Sequence, residues 1–140
     1  MKQEDKELLL QDLCARLPYG VKMNHIADME NNPTTLVGIA KTMITLESPA
    51  GYGTSDIEDY IPYLFPLSSM TEEQLYELRE MFGFEIEFFS GFIELSTFHH
   101  NHLGYLGMVS IFEWFNKNHF DYRRLIAKGL AIDCTNLNIY

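Results

Sequence analysis

The stretch Phe98-His99-His100-Asn101-His102 holds three of the five histidines in this 140-residue chain and poses its sharpest chemical question. A zinc site takes three or four nitrogen, sulfur or oxygen ligands at ~2.0–2.3 Å. In an extended run His100 and His102 project to one face, whereas in a helical turn His99 and His102 converge. Either geometry supplies two ligands, and His119, Glu94 or Glu113 would have to supply the third. The chain holds no HExxH, and Cys14 and Cys134 lie near opposite ends with no CxxC. Three histidines in a polar loop beside Gly104 and Gly107 therefore read first as a solvated loop. His99, His100 and His102 stand as metal candidates second, and no cofactor is expected. A pH response is the other chemistry open to the loop, since imidazole titrates near ~6.5. His25 stands alone and reads as structural.

The remaining reactive residue types form no catalytic constellation. Cys14 reads as a small core residue with no base to activate it. Gly51 and Gly53 lack both the P-loop and the GxGxxG spacing and read as turn residues. Glu72, Glu73, Glu77 and Glu80 read as the solvated side of a helix, because paired catalytic carboxylates would need a cleft that raises one pKa. The net charge is −10, and between Glu47 and Glu113 twelve acidic side chains face one basic one, Arg79. Such a surface repels phosphate and argues against direct nucleic-acid binding. It suits a basic protein partner, with Glu72, Glu73, Glu77, Glu80, Glu85 and Glu87 as the candidate interaction surface. Carboxylates spaced like phosphates would instead make a DNA mimic.

These residues need elements to hold them. A helix is predicted over 3–16, with Leu10, Leu13, Cys14 and Leu17 as its buried stripe and Pro18 and Gly20 as its stop. The runs 21–29 and 34–47 read as a hairpin of two strands, with Val21, Met23 and His25 on one side and Gly38 marking a bulge or bend. Residues 48–56 read as a loop. Residues 57–67 read as an edge strand before Pro62 followed by an extended segment. Thr71 and Gln74 have the spacing of a capping box, Met70 and Leu75 that of a hydrophobic staple, and Gly83 ends the helix they start. Residues 84–98 read as a second hairpin, turning at Ser90-Gly91. A short helix over 108–118 packs Ile111, Phe112 and Phe115, with Trp114 at a boundary. A last helix begins at Asp121, with Phe120 and Leu125 as its staple, and closes at Gly129 in a Schellman arrangement. Arg123 and Arg124 lie in its first turn against the dipole preference, which an acidic partner from elsewhere would offset. The tail 130–140 docks as a strand or extended segment, burying Leu130 and Ile132.

Three stretches, KELLLQDLCARLPYGVK (6–22), IPYLFPLSSMTEEQ (61–74) and NKNHFDYRRLIAKGLAIDCTNLNIY (116–140), resemble a family of small uncharacterised proteins of gut Bacteroides genomes and their phages or prophages. The resemblance implies a bacterial or phage accessory protein. It assigns no activity and no catalytic residue, and it does not reach the histidine run.

With 46% hydrophobic residues and no run of ~20 apolar residues, the chain reads as one globular domain over 1–140, cytoplasmic and not membrane-bound. The expected class is α+β: an antiparallel sheet from two hairpins, packed with an N-terminal helix, a central capped helix and C-terminal helices. The expected function is a non-enzymatic protein-interaction module. The alternatives are a metal-dependent hydrolase built on the histidine loop and an acidic DNA-mimic inhibitor.

Overall fold

Helix α1 (Gln3–Arg16) places Glu4 and Asp5 in its first turn and Arg16 in its last, as the helix dipole favours. Its buried face is Leu9, Asp12, Leu13 and Arg16, one position away from the expected stripe. Leu10 and Leu17 are half-buried, and Cys14 is exposed rather than in the core. The purely apolar reading fails because Asp12 and Arg16 satisfy each other and turn inward together. A 3-10 turn over Leu17–Tyr19 and a left-handed Gly20 (φ 65°) then stop the helix where Pro18 and Gly20 predict.

The computed structural model describes residues 1–82, 85–89, 92–96 and 105–140; of 82, 85–89, 92–96, 105, 106 and 108 it describes the backbone only. After α1 come β1 (Lys22–His25), β2 (Thr34–Ala40), β3 (Met43–Ser48), β4 (Gly51–Asp56) and β5 (Tyr60–Leu64). Then follow α2 (Glu72–Phe82), β6 (Glu85–Phe89), β7 (Phe92–Ser96), α3 (Tyr105–Lys117) and β8 (Ile132–Asp133). The fold is α+β. Six strands form one sheet in the order β4-β3-β2-β1-β5-β8, antiparallel except for the β5–β8 pair. The second hairpin pairs as expected, Glu85 with Ser96 through Phe89 with Phe92, but as a separate two-stranded sheet.

Three strand readings are corrected. The run 34–47 is two strands, because the chain reverses at Lys41 (φ 59°) and pairs Ala40 with Met43. The segment read as a loop contains β4, whose Gly51–Asp56 pairs in full with Met43–Ser48. Glycines disfavour strands, yet the β3 ladder supplies all the partners β4 needs. Pro62 lies inside β5, an interior strand between β1 and β8. The Ile26 N–H bonds the Asp59 carbonyl, so the β1–β5 ladder turns the Pro62 nitrogen away from β1. On that other side β8 pairs only with Tyr63 and Leu64, so no ladder bond is lost. The bulge at Gly38 is present as a register shift between Leu36 and Gly38.

Two apolar cores follow. Leu9 and Leu13 of α1 pack on Val21, just before β1, and on Met23, Leu36, Ile44, Leu46 and Leu64 of the sheet, closed by Leu125, Leu130 and Ala131. Leu67, Met70 and Leu78 pack on Ile111, Trp114, Phe115 and Phe120 to make the second. In α3 the roles of two aromatics are reversed from expectation: Trp114 is 6% exposed and Phe112 is 38% exposed. The capping box is formed as read, the Thr71 N–H donating to Gln74 Oε1 (2.9 Å) and the Gln74 N–H to Thr71 Oγ1 (3.2 Å). The expected ending of α2 at Gly83 lies outside the described residues.

The expected helix after Asp121 is instead a chain of turns ending in a 3-10 turn, Ile126–Lys128. Arg124 adopts φ 62°, which no helix interior permits. The end signals nonetheless work. Asp121 accepts from the Leu125 and Ile126 N–H groups, both at 2.8 Å. The Leu130 N–H bonds the Leu125 carbonyl (2.9 Å) and the Gly129 N–H the Ile126 carbonyl (3.0 Å), a Schellman closure with Gly129 at φ 72°. Leu130 is buried as expected, and Ile132 is half-buried.

Candidate functional site

The two cores meet at a charged junction. Asp12 and Arg16, one helical turn apart on α1, are both fully buried. The Arg16 Nε donates to Asp12 Oδ2 at 2.7 Å and Nη2 to Oδ1 at 3.1 Å, the fork geometry that suits guanidinium and carboxylate. Nη2 also donates to the Phe120 carbonyl at 2.8 Å, which ties α1 to the second core. Nη1 has no partner among the described residues. On the other side of the carboxylate, the Arg123 Nε lies 3.4 Å from Asp12 Oδ1. Both guanidiniums lie over the Tyr122 ring, Arg123 at 5.1 Å from its centre and Arg16 at 5.7 Å. An acidic group from elsewhere does face Arg123, although the helix whose dipole was expected to require one is absent. That group, Asp12, is shared, so that among the described residues two cations face one anion here, in a chain of net charge −10. The Asp121 cap and the left-handed Arg124 hold Arg123 in place.

Beside this junction lies an open pocket of about 410 Å³ between α3 and the turn after it. Val109, Phe112 and Tyr122 form its apolar walls, and Glu113, Asn116 and Arg123 supply polar groups. The Phe112 and Tyr122 rings meet with centres 5.1 Å apart, tilted by 39°. Asn116 is 6% exposed, and its Oδ1 has no hydrogen-bond partner among the described residues. The Arg123 side chain is 27% exposed and its Nε makes no hydrogen bond among the described residues. Such a pocket can hold a small molecule with an apolar body and an anionic end.

A second buried group sits close by in sequence. His119, at φ 60°, stacks on Tyr140 with ring centres 4.0 Å apart. Its Nδ1 has no partner among the described residues, and burial first, then the charges of Arg16 and Lys22, push its pKa down to about 4. The Tyr140 hydroxyl donates to the Tyr63 carbonyl (2.8 Å) and accepts from the Lys22 N–H (3.0 Å), and burial raises its pKa. His119 is therefore a neutral packing group. The Cys134 thiol is buried, and burial together with Asp133 pushes it up to about 12.

The metal candidates His99, His100 and His102 lie outside the described residues. Among the described residues no group of three or more His, Cys, Asp or Glu could hold a metal ion. His25 is half-buried as a structural residue, its Nδ1 accepting from the Ala27 N–H and its ring edge meeting Tyr60. Glu72, Glu73, Glu77 and Glu80 are exposed along α2 beside Tyr76 and Met81. Glu85 and Glu87 lie on β6, where only the backbone is described. No described helix is long and apolar enough to cross a membrane. Sequence reasoning missed Asp12, Arg16 and Asn116. The i, i+4 acid–base spacing of the first two was the available signal, but that spacing marks a surface pair more often than a buried one. No family model matches the chain, and no curated protein or solved structure is detectably similar to it.

Proposed function

We propose that the chain is a non-enzymatic protein-interaction module of a bacterial or phage accessory system, and that it engages a basic partner through the solvent face of α2. The observation that carries this reading is the pair of large apolar side chains on a charged helix: Tyr76 is 63% and Met81 56% exposed. Exposed Glu72, Glu73, Glu77 and Glu80 surround them. Aromatic and methionine side chains are the anchors that protein interfaces favour, and acidic rims steer a cationic partner to them.

A photo-crosslinking amino acid at position 76 in the native host tests this. It should trap one partner with a basic surface. That partner should associate more slowly as ionic strength rises, and more slowly again after Glu77→Gln and Glu80→Gln. Tyr76→Ala should weaken binding by about tenfold or more. Affinity for duplex DNA at low salt would sink the electrostatic argument, and a salt-insensitive partner would move the interface off α2.

A further inference from the structure

We infer that the pocket between α3 and the Tyr122–Arg123 turn is a binding site for a small aromatic carboxylate. It is separate from the α2 face and does not depend on the interaction reading above.

The charge balance at the junction is the first reason. Arg123 and Arg16 share the single Asp12 carboxylate. Arg16 takes the better geometry, two hydrogen bonds at 2.7 and 3.1 Å, while Arg123 stands off at 3.4 Å without one. A guanidinium whose Nε has no hydrogen bond among the described residues and whose side chain is only 27% exposed gains more from a carboxylate than one in bulk solvent does. Arg123 also cannot swing freely, because Tyr122 lies under it and the Asp121 cap fixes the backbone beside it. The site is preorganised, which lowers the cost of binding.

The second reason is Asn116, more than nine-tenths buried yet part of the pocket lining, with its amide oxygen unpartnered. That oxygen is itself closed off from solvent, so Asn116 enters the lining as a polar point in the wall, and completing its amide would need the side chain to turn. The third is shape and polarity. Val109, Phe112 and Tyr122 offer an apolar slot, and Phe112 is 38% exposed although it has an aromatic neighbour to pack on. The volume of about 410 Å³ accommodates one ring with a short acidic arm. Glu113, an exposed member of the lining, adds a negative charge that disfavours phosphates and dicarboxylates and leaves a monoanion as the suitable guest.

The test titrates ¹⁵N-labelled full chain with 3-phenylpropionate and, separately, with its neutral amide. The acid should give saturable shifts centred on residues 109–116 and 122–123, with the amide weaker by about tenfold or more. Arg123→Gln should cost the acid a similar factor and leave the amide unaffected. Phe112→Ala should weaken both ligands. Should Arg123→Gln fail to fold, the acid–amide comparison on the natural chain and the Phe112→Ala titration still decide the matter. No saturable shift up to ~10 mM, equal binding of acid and amide, or shifts mapping elsewhere overturns the assignment.

Discussion

Removing Asp12 is the most informative single perturbation of this molecule. Asp12→Asn keeps the shape of the side chain but leaves Arg16, fully buried, without its counter-ion, and leaves Arg123 facing it. Arg16 keeps its bond to the Phe120 carbonyl and a neutral amide oxygen at position 12 as an acceptor, but its charge is no longer balanced, and Nη1 lacks a partner among the described residues. Breaking a buried pair by removing one member costs about 3–5 kcal/mol, because the surviving charge is uncompensated. For a chain of this size each kcal/mol lowers the melting temperature by roughly 3 °C, so the variant should melt ~10–15 °C lower. Replacing the pair together, Asp12→Leu with Arg16→Met, exchanges charge for packing in a site bordered by Leu9 and Leu13. It should recover most of that loss, ending within ~2 kcal/mol of the natural chain. Urea and thermal melts of the three proteins measure both quantities. A loss below ~1 kcal/mol for Asp12→Asn would refute the reasoning, since that is the value of a pair exposed to water. A double variant worse than the single would refute it as well, by showing that the charges themselves are needed.

Gly129→Ala should destabilise by ~1 kcal/mol, read in the same melts: a Cβ there meets nothing within 4 Å, so the cost is that of the left-handed φ of 72° alone. His119, neutral when folded with a pKa of about 4 against ~6.5 unfolded, stabilises fully above ~pH 6.5 and loses that contribution as pH falls towards 4. Between pH 7.5 and 4.5 the natural chain should therefore lose roughly 2–3 kcal/mol more than His119→Asn, a substitution that tolerates the positive φ; parallel pH profiles would contradict it. With a thiol reagent at pH 8, the exposed Cys14 should react with the native protein, whereas the buried Cys134 should react only on unfolding. Equal rates would contradict that. Melts with and without a strong chelator should coincide; a chelator effect abolished by His100→Ala and His102→Ala would establish a metal site at the histidine run.

Local signals were legible wherever a few neighbouring residues decide the outcome. The Thr71–Gln74 capping box, the Pro18–Gly20 stop and the Gly129 closure each rest on hydrogen bonds or dihedral preferences within about six positions, the Gly38 bulge on the neighbouring strand of its own hairpin, and all are in the structure. The acidic helix face was legible for the same reason, since a run of carboxylates on one helix is too costly to bury and faces water.

Tertiary structure decided what depends on a partner distant in sequence. Glycine-rich 51–56 becomes a strand because β3 offers it a ladder, and Pro62 fits an interior strand because β8 does not extend beside it. Leu10, Leu13, Cys14 and Leu17 form a good apolar stripe on paper. The helix nevertheless buries Leu9, Asp12, Leu13 and Arg16, because the Phe120 carbonyl, 104 positions from Arg16, and Arg123 complete the satisfaction of the buried pair. A charged side chain counts as polar in any pattern read along the chain. Only the assembled fold can neutralise it, and that neutralisation turned α1 by one position and set Arg123 beside its pocket.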